Sequence, residues 1–254
     1  MFDPFWAHGI IRRAIEHKII FASTINIRDY ARDRHQVTDD RPYGGGSGMV
    51  MKPEPLAGAI RTATREIPAA GTVLLTPQGR PFDQNMAREL AALDGLVLIC
   101  GRYEGVDERI CHDLIDYEIS IGDYVLTGGE LAAMIIVDAV TRLIPGALGG
   151  QDAAQNDSFS NGLLEHAHYT RPRNYEGREV PEVLLSGHHQ EIERWRLESS
   201  LMRTLLKRSD LLRHKNLDRK EIKILEKWHR EITKVLELHH KKEGISSATK
   251  TRRY

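Results

Sequence analysis

The chain has 254 residues, 41% of them hydrophobic and 28% charged, with 36 basic side chains against 36 acidic ones. This length allows one large domain or two ordinary ones, and the composition excludes a wholly disordered chain. The longest apolar runs fall short of the ~20 residues that span a bilayer, and the N-terminus lacks a secretory signal pattern. Cys100 and Cys111 match neither a CxxC nor a zinc-ribbon spacing. We therefore expect a cytoplasmic protein with reduced thiols.

The balanced total charge conceals two unlike halves. Residues 1–159 carry 15 basic and 22 acidic side chains, a net charge of −7, whereas residues 160–254 carry 21 and 14, a net charge of +7. Nucleic-acid-binding domains concentrate basic side chains on one region, so the second half is the candidate for a phosphate-rich partner.

The first half alternates short apolar runs with helical patterns, which predicts an α/β domain with a parallel sheet. In chain order the expected elements are a helix at 7–17, a strand at 23–28, a helix at 56–66, a strand at 73–76, a helix at 85–93, a strand at 96–100, a helix at 107–114, a strand at 117–121 and a helix at 130–143. Apolar residues nearly encircle the last helix, so we expect it to be buried on most sides.

Residues 150–162 are small and polar, which is typical of a flexible linker between two domains at 1–149 and 163–254. Beyond the linker, apolar residues recur at helical spacing in two stripes: Ile192, Trp195, Met202 and Leu205, then Ile222, Leu225, Trp228, Ile232 and Leu236. Asp218 and Glu221 have the spacing of a capping box. These patterns predict a small helical bundle, followed by a polar tail at 241–254 that we expect to fray.

Four glycine-containing loops are candidates for a ligand site. The segment at 39–48, DDRPYGGGSG, matches neither a P-loop nor a dinucleotide fingerprint, and either a surface turn or backbone that approaches a ligand would explain it. The other three loops follow apolar strands, after Leu75, Cys100 and Ile121. Loops at the carboxyl ends of parallel strands form the binding crevice of an open sheet. We therefore expect these loops to hold a planar ligand by its edge.

Six segments, taken together, resemble the bacterial tRNA (guanine-N1)-methyltransferases, the TrmD-type family of the SPOUT superfamily. They are DDRPYGGGSGM at 39–49, LTPQGR at 75–80, CGRYEGVDER at 100–109, SIGDYVLTGGE at 120–130, HYTRP at 168–172 and VPEVLLSGHH at 180–189. The resemblance implies a SPOUT-type parallel sheet with a deep trefoil knot, followed by a small all-helical domain that binds tRNA. It also implies a homodimer whose active sites are shared between subunits.

The same resemblance implies that the knot binds S-adenosylmethionine. The positions expected to surround it are Leu75, Thr76, Pro77, Gly101, Tyr103, Ile121, Gly122, Tyr124, Leu126, Gly128 and Gly129. Glu104 is expected near the methionine amino group or a Mg²⁺ ion that the family uses. The implied substrate is the guanosine immediately 3′ of the tRNA anticodon, preceded by another guanosine, and the product is N1-methylguanosine.

Methylation at guanine N1 needs a base that removes the N1 proton and a donor that stabilises charge on O6. By resemblance, Asp157 is the base and Arg142 is the cation. On residue type alone, Asp157 would be a solvated loop carboxylate or helix cap, and Arg142 a cation at a helix C-terminus. No set of metal-ligating protein side chains is assigned, since His188 and His189 have no second ligand pair at metal spacing.

The basic half contains candidate phosphate contacts, although each would serve equally on a solvated face. They are Arg171, Arg173, Arg178, Arg194, Arg196, Arg203, Lys207 and Arg208.

Two rival interpretations remain. One is a SPOUT enzyme for another RNA site, which the HYTRP segment and the helical second half disfavour. The other is a catalytically impaired RNA-binding relative. This rival arises because the family pattern begins with a β-strand ahead of the segment that matches Met1–Phe5, and we expect that strand to be absent here.

Overall fold

The structure is a computed structural model that describes residues 1–150, 154 and 157–242. The chain divides into two compact units, Met1–Ala154 and Gln155–Tyr254. Among the helices in these described ranges, none combines the length and apolar character needed to cross a membrane.

The first unit is an α/β assembly. Its helices are α1 (Phe2–Trp6), α2 (Gly9–Glu16), α3 (Pro53–Glu66), α4 (Gln84–Ala91), α5 (Glu108–Leu114) and α6 (Glu130–Thr141), with a 3-10 helix at Ile27–Tyr30. Its strands are β1 (Asp39–Asp40), β2 (Val50–Met51), β3 (Ala70–Pro81), β4 (Gly95–Cys100) and β5 (Tyr117–Ser120). The short β1 and β2 pair with each other in antiparallel fashion.

The main sheet contains three parallel strands in the order β4-β3-β5. Val73 in the central strand is paired with Leu98 on one side and with Tyr117 on the other. Thr72 and Asp116 fix the start of β5 against β3, because the Asp116 carboxylate accepts hydrogen bonds from the Thr72 backbone N–H at 2.8 Å and hydroxyl at 2.7 Å. The parallel sheet predicted from the sequence is confirmed, as are the strands expected at 73–76, 96–100 and 117–121.

Helices cover both faces of this sheet. Alternate residues of a strand point to opposite faces, so Val73 and Leu75 pack with α4 and α6 while Leu74 packs with α3 and α5. The buried residues on the first face are Val73, Leu75, Met86, Leu90, Ile119, Ala132, Ile136 and Val140. Those on the second are Met51, Leu56, Ala57, Ile60, Leu74, Ile99 and Ile110. Burial on both faces explains why the strands read as continuous apolar runs.

Helix boundaries follow local capping chemistry. Asp83 precedes α4 and accepts a hydrogen bond from the Met86 N–H at 2.8 Å, and Asp107 precedes α5 and accepts one from the Arg109 N–H at 3.1 Å. Pro53 begins α3, a position where no backbone N–H is needed. The helices expected at 56–66, 85–93, 107–114 and 130–143 are therefore confirmed with small shifts at their ends.

The strand expected at 23–28 is wrong. Asn26 instead caps the 3-10 helix, its side-chain oxygen accepting a hydrogen bond from the Arg28 N–H at 3.2 Å. Phe21 ahead of it is 86% exposed. The apolar residues of this run give it strand propensity, but strand propensity does not supply a neighbouring strand to pair with. The hydrogen bond of the Asn26 side chain stabilises the 3-10 helix instead.

One other expectation for the first unit needs correction. The helix expected at 7–17 begins only at Gly9, after the extended backbone of His8 that separates it from α1. Helix α6 is buried or half-buried on most sides as expected, but one face is open, where Leu131 and Ile135 are 50% and 46% exposed. These two residues are four apart and therefore share one face.

The second unit is mainly helical. It contains a hairpin of β6 (Asn174–Tyr175) and β7 (Arg178–Glu179), a 3-10 helix at Glu182–Leu185, and helices α7 (His189–Lys207), α8 (Ser209–His214) and α9 (Arg219–Lys242). Leu163, Leu201 and Ile224 form its buried core, with Leu197, Leu212 and Trp228 packed around them. The predicted helical character is confirmed, but Ile222, Ile232 and Leu236 of the second stripe are exposed, so the buried face of α9 is centred on Ile224 and Trp228.

The predicted capping box is present at the start of α9. Asp218 accepts a hydrogen bond from the Glu221 N–H at 2.8 Å, and Glu221 accepts one from the Asp218 N–H at the same distance. Glu221 is also paired with Lys215 at 3.3 Å, and both side chains are largely buried, at 5% and 14% exposure. The Lys215 ammonium also donates to the Asn161 carbonyl at 2.7 Å.

The expected linker at 150–162 lies partly outside the described residues, because 151–153, 155 and 156 are not among them. Residues 157–162 form a turn in which the Phe159 N–H donates to the Leu163 carbonyl at 2.7 Å. Ser158 accepts a hydrogen bond from the Glu165 N–H at 3.0 Å. Of the tail expected to fray, residues 243–254 also lie outside the described ranges.

Candidate active site

The middle of β3 and the loops that follow β4 and β5 meet at one edge of the sheet. Arg102 and Gly128 form an antiparallel bridge, and the Gly129 N–H donates to the Gly101 carbonyl at 2.8 Å. A Cβ atom on Gly129 would lie 2.8 Å from the Cys100 Cα and 3.2 Å from the Leu75 Cβ. Only glycine permits this approach, so the loop after β5 lies directly against the ends of β3 and β4.

An ion pair fixes the same junction. The Arg102 guanidinium contacts the Glu130 carboxylate at 2.6 Å, which joins the loop after β4 to the first turn of α6. Burial, and secondarily the Glu130 charge, raises the pKa of the Cys100 thiol to about 12. The thiol is therefore protonated at neutral pH and is not a nucleophile for chemistry at this edge.

Strand β3 is interrupted where it reaches this edge. Its pairing with β5 shifts register between Leu75 and Arg80, so residues 76–79 bulge out of the ladder. Gly79 lies against the backbone of β5, where a Cβ atom would approach the Ile119 nitrogen to 2.3 Å. The bulge leaves Thr76 half-buried and Pro77 exposed beside the other two loops.

The loop after β5 presents aromatic and apolar side chains. The Tyr124 hydroxyl donates to the Ile121 carbonyl at 3.2 Å, and its ring covers Gly122, whose φ of +145° is a glycine conformation. Tyr103 and Tyr124 are each about half exposed, at 54% and 53%, and Leu126 is also exposed. Exposed rings beside backbone polar groups suit a planar, partly apolar ligand.

The expected cofactor positions therefore lie on three neighbouring segments at one edge of the sheet, namely the bulge within β3 and the loops after β4 and β5. They are Leu75, Thr76 and Pro77 at the β3 bulge, then Gly101, Tyr103 and Glu104 after β4, then Ile121, Gly122, Tyr124, Leu126, Gly128 and Gly129 after β5.

The glycine-rich segment at 39–48 joins this edge through the loop after β4. The Glu104 N–H donates to the Met49 carbonyl at 3.0 Å, and the Met51 N–H donates to the Gly105 carbonyl at 2.9 Å. A cavity of about 530 Å³ is lined by Arg41, Pro42, Gly45, Gly46, Gly48 and Met49. Glu104 packs directly on Gly48, where a Cβ atom would overlap its carboxylate. Sequence reasoning did not foresee this pairing, because the two segments are more than 50 residues apart.

Arg142 and Asp157, the expected catalytic pair, belong to different units. Arg142 is half-buried at the C-terminal end of α6, where its N–H donates to the Asp138 carbonyl at 3.2 Å. Asp157 is half-buried in the turn at 157–162, and its carbonyl accepts a hydrogen bond from the Ser160 N–H at 3.1 Å.

Several of the candidate phosphate contacts are engaged in ion pairs. Arg194 pairs with Glu198 at 3.1 Å and Arg196 with Glu193 at 2.7 Å, both along α7. Arg208 pairs with Asp210 at 2.7 Å. Arg171, Arg173 and Arg178 are exposed at and beside the β6–β7 hairpin. The hairpin arginines and the exposed Lys207 are thus more available to phosphate than Arg194, Arg196 and Arg208.

The second unit contains a side-chain cluster that the sequence reasoning missed. The ligating atoms of Glu165, His166 and His168 lie within 4.8 Å of one another. The spacing of His166 and His168, two residues apart in the chain, would have been the signal for it.

Comparison with known proteins gives consistent matches over most of the chain. A family model described as tRNA (Guanine-1)-methyltransferase TrmD matches residues 1–214. The chain is similar to the tRNA (guanine-N(1)-)-methyltransferase of Desulfatibacillum aliphaticivorans, with 55% identity covering 93% of this chain and 90% of that protein. It is 57% identical to the protein of the same name from Geobacter sulfurreducens over 84% of this chain and 86% of that one. The match from Geotalea uraniireducens is 54% identical and covers 91% and 93%.

Proposed function

Since the chain belongs to the TrmD family of tRNA (guanine-N1)-methyltransferases, we propose that it methylates N1 of the guanosine 3′ of the anticodon, G37, in tRNAs with a preceding guanosine. The protein is a tRNA (guanine-N1)-methyltransferase, and its family implies the use of S-adenosylmethionine. The convergence of the β3 bulge with the loops after β4 and β5 at one edge of a parallel sheet is the observation that supports the assignment of the site. The substrate position follows from the resemblance and is the part to be tested.

The residues at the sheet edge fit S-adenosylmethionine. Gly128 and Gly129 let the loop after β5 pack closely on the loop after β4, and the rings of Tyr103 and Tyr124 remain exposed beside this backbone. Such a surface offers peptide groups to the edge of an adenine and apolar contact to its faces. When bound, S-adenosylmethionine supplies a sulfonium methyl group, so the protein needs no covalent nucleophile. The protonated Cys100 thiol is compatible with that chemistry.

The catalytic steps assigned to the protein are a proton transfer and a charge stabilisation. The Asp157 carboxylate would take the proton from guanine N1, so that the N1 electron pair becomes available to the sulfonium methyl group that S-adenosylmethionine supplies, whose sulfur would keep the electron pair of the broken C–S bond and leave as a neutral thioether. The Arg142 guanidinium donates to guanine O6, where negative charge grows as the proton leaves. Both roles rest on the resemblance, and both side chains are half-buried, which limits competition from water.

The larger arrangement proposed is a SPOUT domain at 1–149 with a trefoil knot, a linker at 150–162 and a tRNA-binding helical domain at 163–254. The close approach of the loop after β5 to the ends of β3 and β4 supports the knot, because this is where a threaded loop would pass. The net charge of +7 in residues 160–254 supports tRNA contact there. A cytoplasmic location accords with such a substrate.

We further propose a homodimer in which each active site uses both subunits. The exposed apolar residues Leu131 and Ile135 on α6, with Val125 and Leu126 in the loop before it, form an uncovered face close to the proposed site. Such a face is typical of a subunit interface.

The Mg²⁺ proposal rests on the resemblance alone, with Glu104 as its one assigned residue. Within the described residues, one group of three side chains has the geometry to hold a metal ion. It consists of Glu165, His166 and His168, and Glu104 is not part of it. Mg²⁺ often takes most of its ligands from water and substrate, so a single carboxylate is compatible with its binding. No step of the mechanism depends on it.

The deciding experiment uses labelled S-adenosylmethionine and tRNA transcripts that carry G or A at position 37, with G or A before it. We expect label only in the transcript with G at both positions. Label in the transcript with A37 would contradict the assigned target, and binding of tRNA without any transfer would support the impaired relative instead.

Asp157→Ala tests the assigned base. We expect S-adenosylmethionine binding to be retained and methyl transfer to fall by roughly 10²–10⁴-fold, the usual contribution of a positioned base. Calorimetric titration and single-turnover transfer measure the two quantities separately. Asp152→Ala is the matched control in the same segment, and an equal loss of binding and transfer in Asp157→Ala would show a structural role.

A further inference from the structure

The segment at 163–169 is held tightly against α7. The Leu164 N–H donates to the Thr204 hydroxyl at 2.9 Å, and the Ala167 N–H donates to the Ser199 hydroxyl at 3.0 Å. The Ser200 hydroxyl donates in return to the Leu164 carbonyl. Because hydrogen bonds hold the backbone on both sides of His166, the Cα positions from which these side chains extend are fixed.

Three of those side chains converge. The His168 Nε2 lies 2.9 Å from the Glu165 Oε1, and the His166 and His168 rings are 4.5 Å apart between centroids. All three ligating atoms lie within 4.8 Å of one another. Around a tetrahedral Zn²⁺ with Zn–N distances of about 2.0–2.1 Å, ligand atoms are separated by roughly 3.4 Å. A small adjustment of side-chain torsions would close the set around one ion.

Aromatic packing restrains the central histidine. The His166 ring lies edge-on to Trp195 at 6.4 Å between centroids, and Trp195 also contacts the Tyr169 ring at 6.1 Å. His166 and Glu165 are half-buried, whereas His168 is exposed. The cluster is thus pre-formed on its inner side and open to solvent on its outer side, which leaves a coordination position for water.

We propose that Glu165, His166 and His168 form a binding site for a transition-metal dication of the Zn²⁺ class. Two imidazoles and one carboxylate favour such an ion over Mg²⁺, which prefers oxygen ligands. The site belongs to the second unit and uses none of the residues assigned to methyl transfer. A metal here would join His168 of the HYTRP segment to the backbone already anchored on α7.

The electrostatic surroundings affect this site in both directions. Burial lowers the pKa of His166, and the neighbouring charges of His168 and Arg196 lower it further, against opposing effects of Glu165 and Glu193. This direction favours the neutral imidazole, which is the form that binds metals. Arg196 is a nearby cation, but its guanidinium is paired with Glu193 at 2.7 Å.

The test is calorimetric titration of the full chain with ZnCl₂ after dialysis against a chelator, with excess MgCl₂ present throughout. We expect one Zn²⁺ per chain, and at least a 10-fold weaker affinity in His166→Gln and in His168→Gln. His112→Gln is the matched control, because His112 is an exposed histidine that also faces a carboxylate, Glu108 at 3.8 Å, without a second histidine.

A melting curve of each variant without metal checks that the fold is retained. His168→Gln changes an exposed side chain and is expected to fold normally. It therefore tests metal binding even if His166→Gln, which changes a half-buried side chain, fails to fold. The proposal is overturned when the wild-type chain takes up no Zn²⁺ in the presence of Mg²⁺, or when His168→Gln binds it as tightly as His112→Gln does.

Discussion

Gly129 determines how closely the loop after β5 approaches the ends of β3 and β4. Its missing side chain leaves room for the Cys100 backbone, and its N–H bonds to the Gly101 carbonyl at 2.8 Å. Gly101 lies in the same junction but has space around it, since a Cβ atom there would approach nothing nearer than 3.7 Å. Steric contact therefore requires glycine at position 129 but not at position 101.

We predict that Gly129→Ala lowers the free energy of unfolding by about 2 kcal/mol, because backbone must shift to accept the methyl group. S-adenosylmethionine binding should weaken in the same variant. Gly101→Ala is the control and should change the unfolding free energy by no more than about 0.5 kcal/mol. Urea denaturation measures both. Equal losses in the two variants would contradict the steric explanation.

The Cys100 thiol is expected to react slowly with alkylating reagents in the folded protein. Its pKa is raised from 9.0 to about 12, mainly by burial. Three pKa units lower the thiolate fraction by about a thousand-fold, so alkylation at pH 8 should slow by about that factor relative to the unfolded chain. Mass spectrometry of iodoacetamide-treated protein, native and in denaturant, measures the ratio. Comparable rates in the two states would show that the thiol is not buried as described.

Among the secondary-structure elements, α9 is the one whose start is most strongly specified. The capping box of Asp218 and Glu221 satisfies two backbone N–H groups, and the same Glu221 carboxylate is paired with Lys215 at 3.3 Å. Lys215 also contacts the Asn161 carbonyl, four residues after Asp157. This one lysine therefore connects the start of α9 to the turn that contains the proposed base.

We predict that Lys215→Met destabilises the second unit by about 3 kcal/mol, because it leaves the buried Glu221 carboxylate without its cation. Lys223→Met removes an exposed cation from the same helix and should cost less than about 0.5 kcal/mol. Thermal unfolding compares them. Amide hydrogen exchange in residues 157–162 should also become faster in Lys215→Met but not in Lys223→Met. Unchanged exchange in this turn would show that Lys215 does not stabilise it.

At the scale of the whole molecule, charge and apolar surface are unevenly distributed. The net charge is −7 in residues 1–159 and +7 in residues 160–254. The largest exposed apolar residues of the α/β unit include Val125, Leu131 and Ile135 around the start of α6. The positive charge of residues 160–254 fits a phosphate-rich partner for that half of the chain. The exposed apolar residues of the α/β unit fit a protein partner for that unit.

We predict that Ile135→Asp converts the proposed dimer into a monomer of 28.8 kDa. A charge on the apolar face of α6 would be desolvated in the interface without a partner. Val37→Asp adds the same charge at an exposed apolar residue outside α6, and it should leave the assembly unchanged. Sedimentation equilibrium gives the mass, and a wild-type chain that is itself monomeric at micromolar concentration would refute the dimer.

Features that depend on local chemistry and on continuous apolar runs were predictable from the amino-acid sequence. Apolar runs in β3, β4 and β5 were recognisable because both faces of the sheet are covered, and the capping box of α9 was recognisable because its two members are three residues apart. The strand expected at 23–28 failed because a strand needs a partner that propensity does not supply. Contacts between distant segments were not predictable in this way, namely those of the glycine-rich segment with Glu104 and of Gly129 with Cys100. The exposure of Leu131 and Ile135 on α6 was not predictable either. Each of these depends on distances between residues far apart in the chain, and helical or strand periodicity contains no information about them.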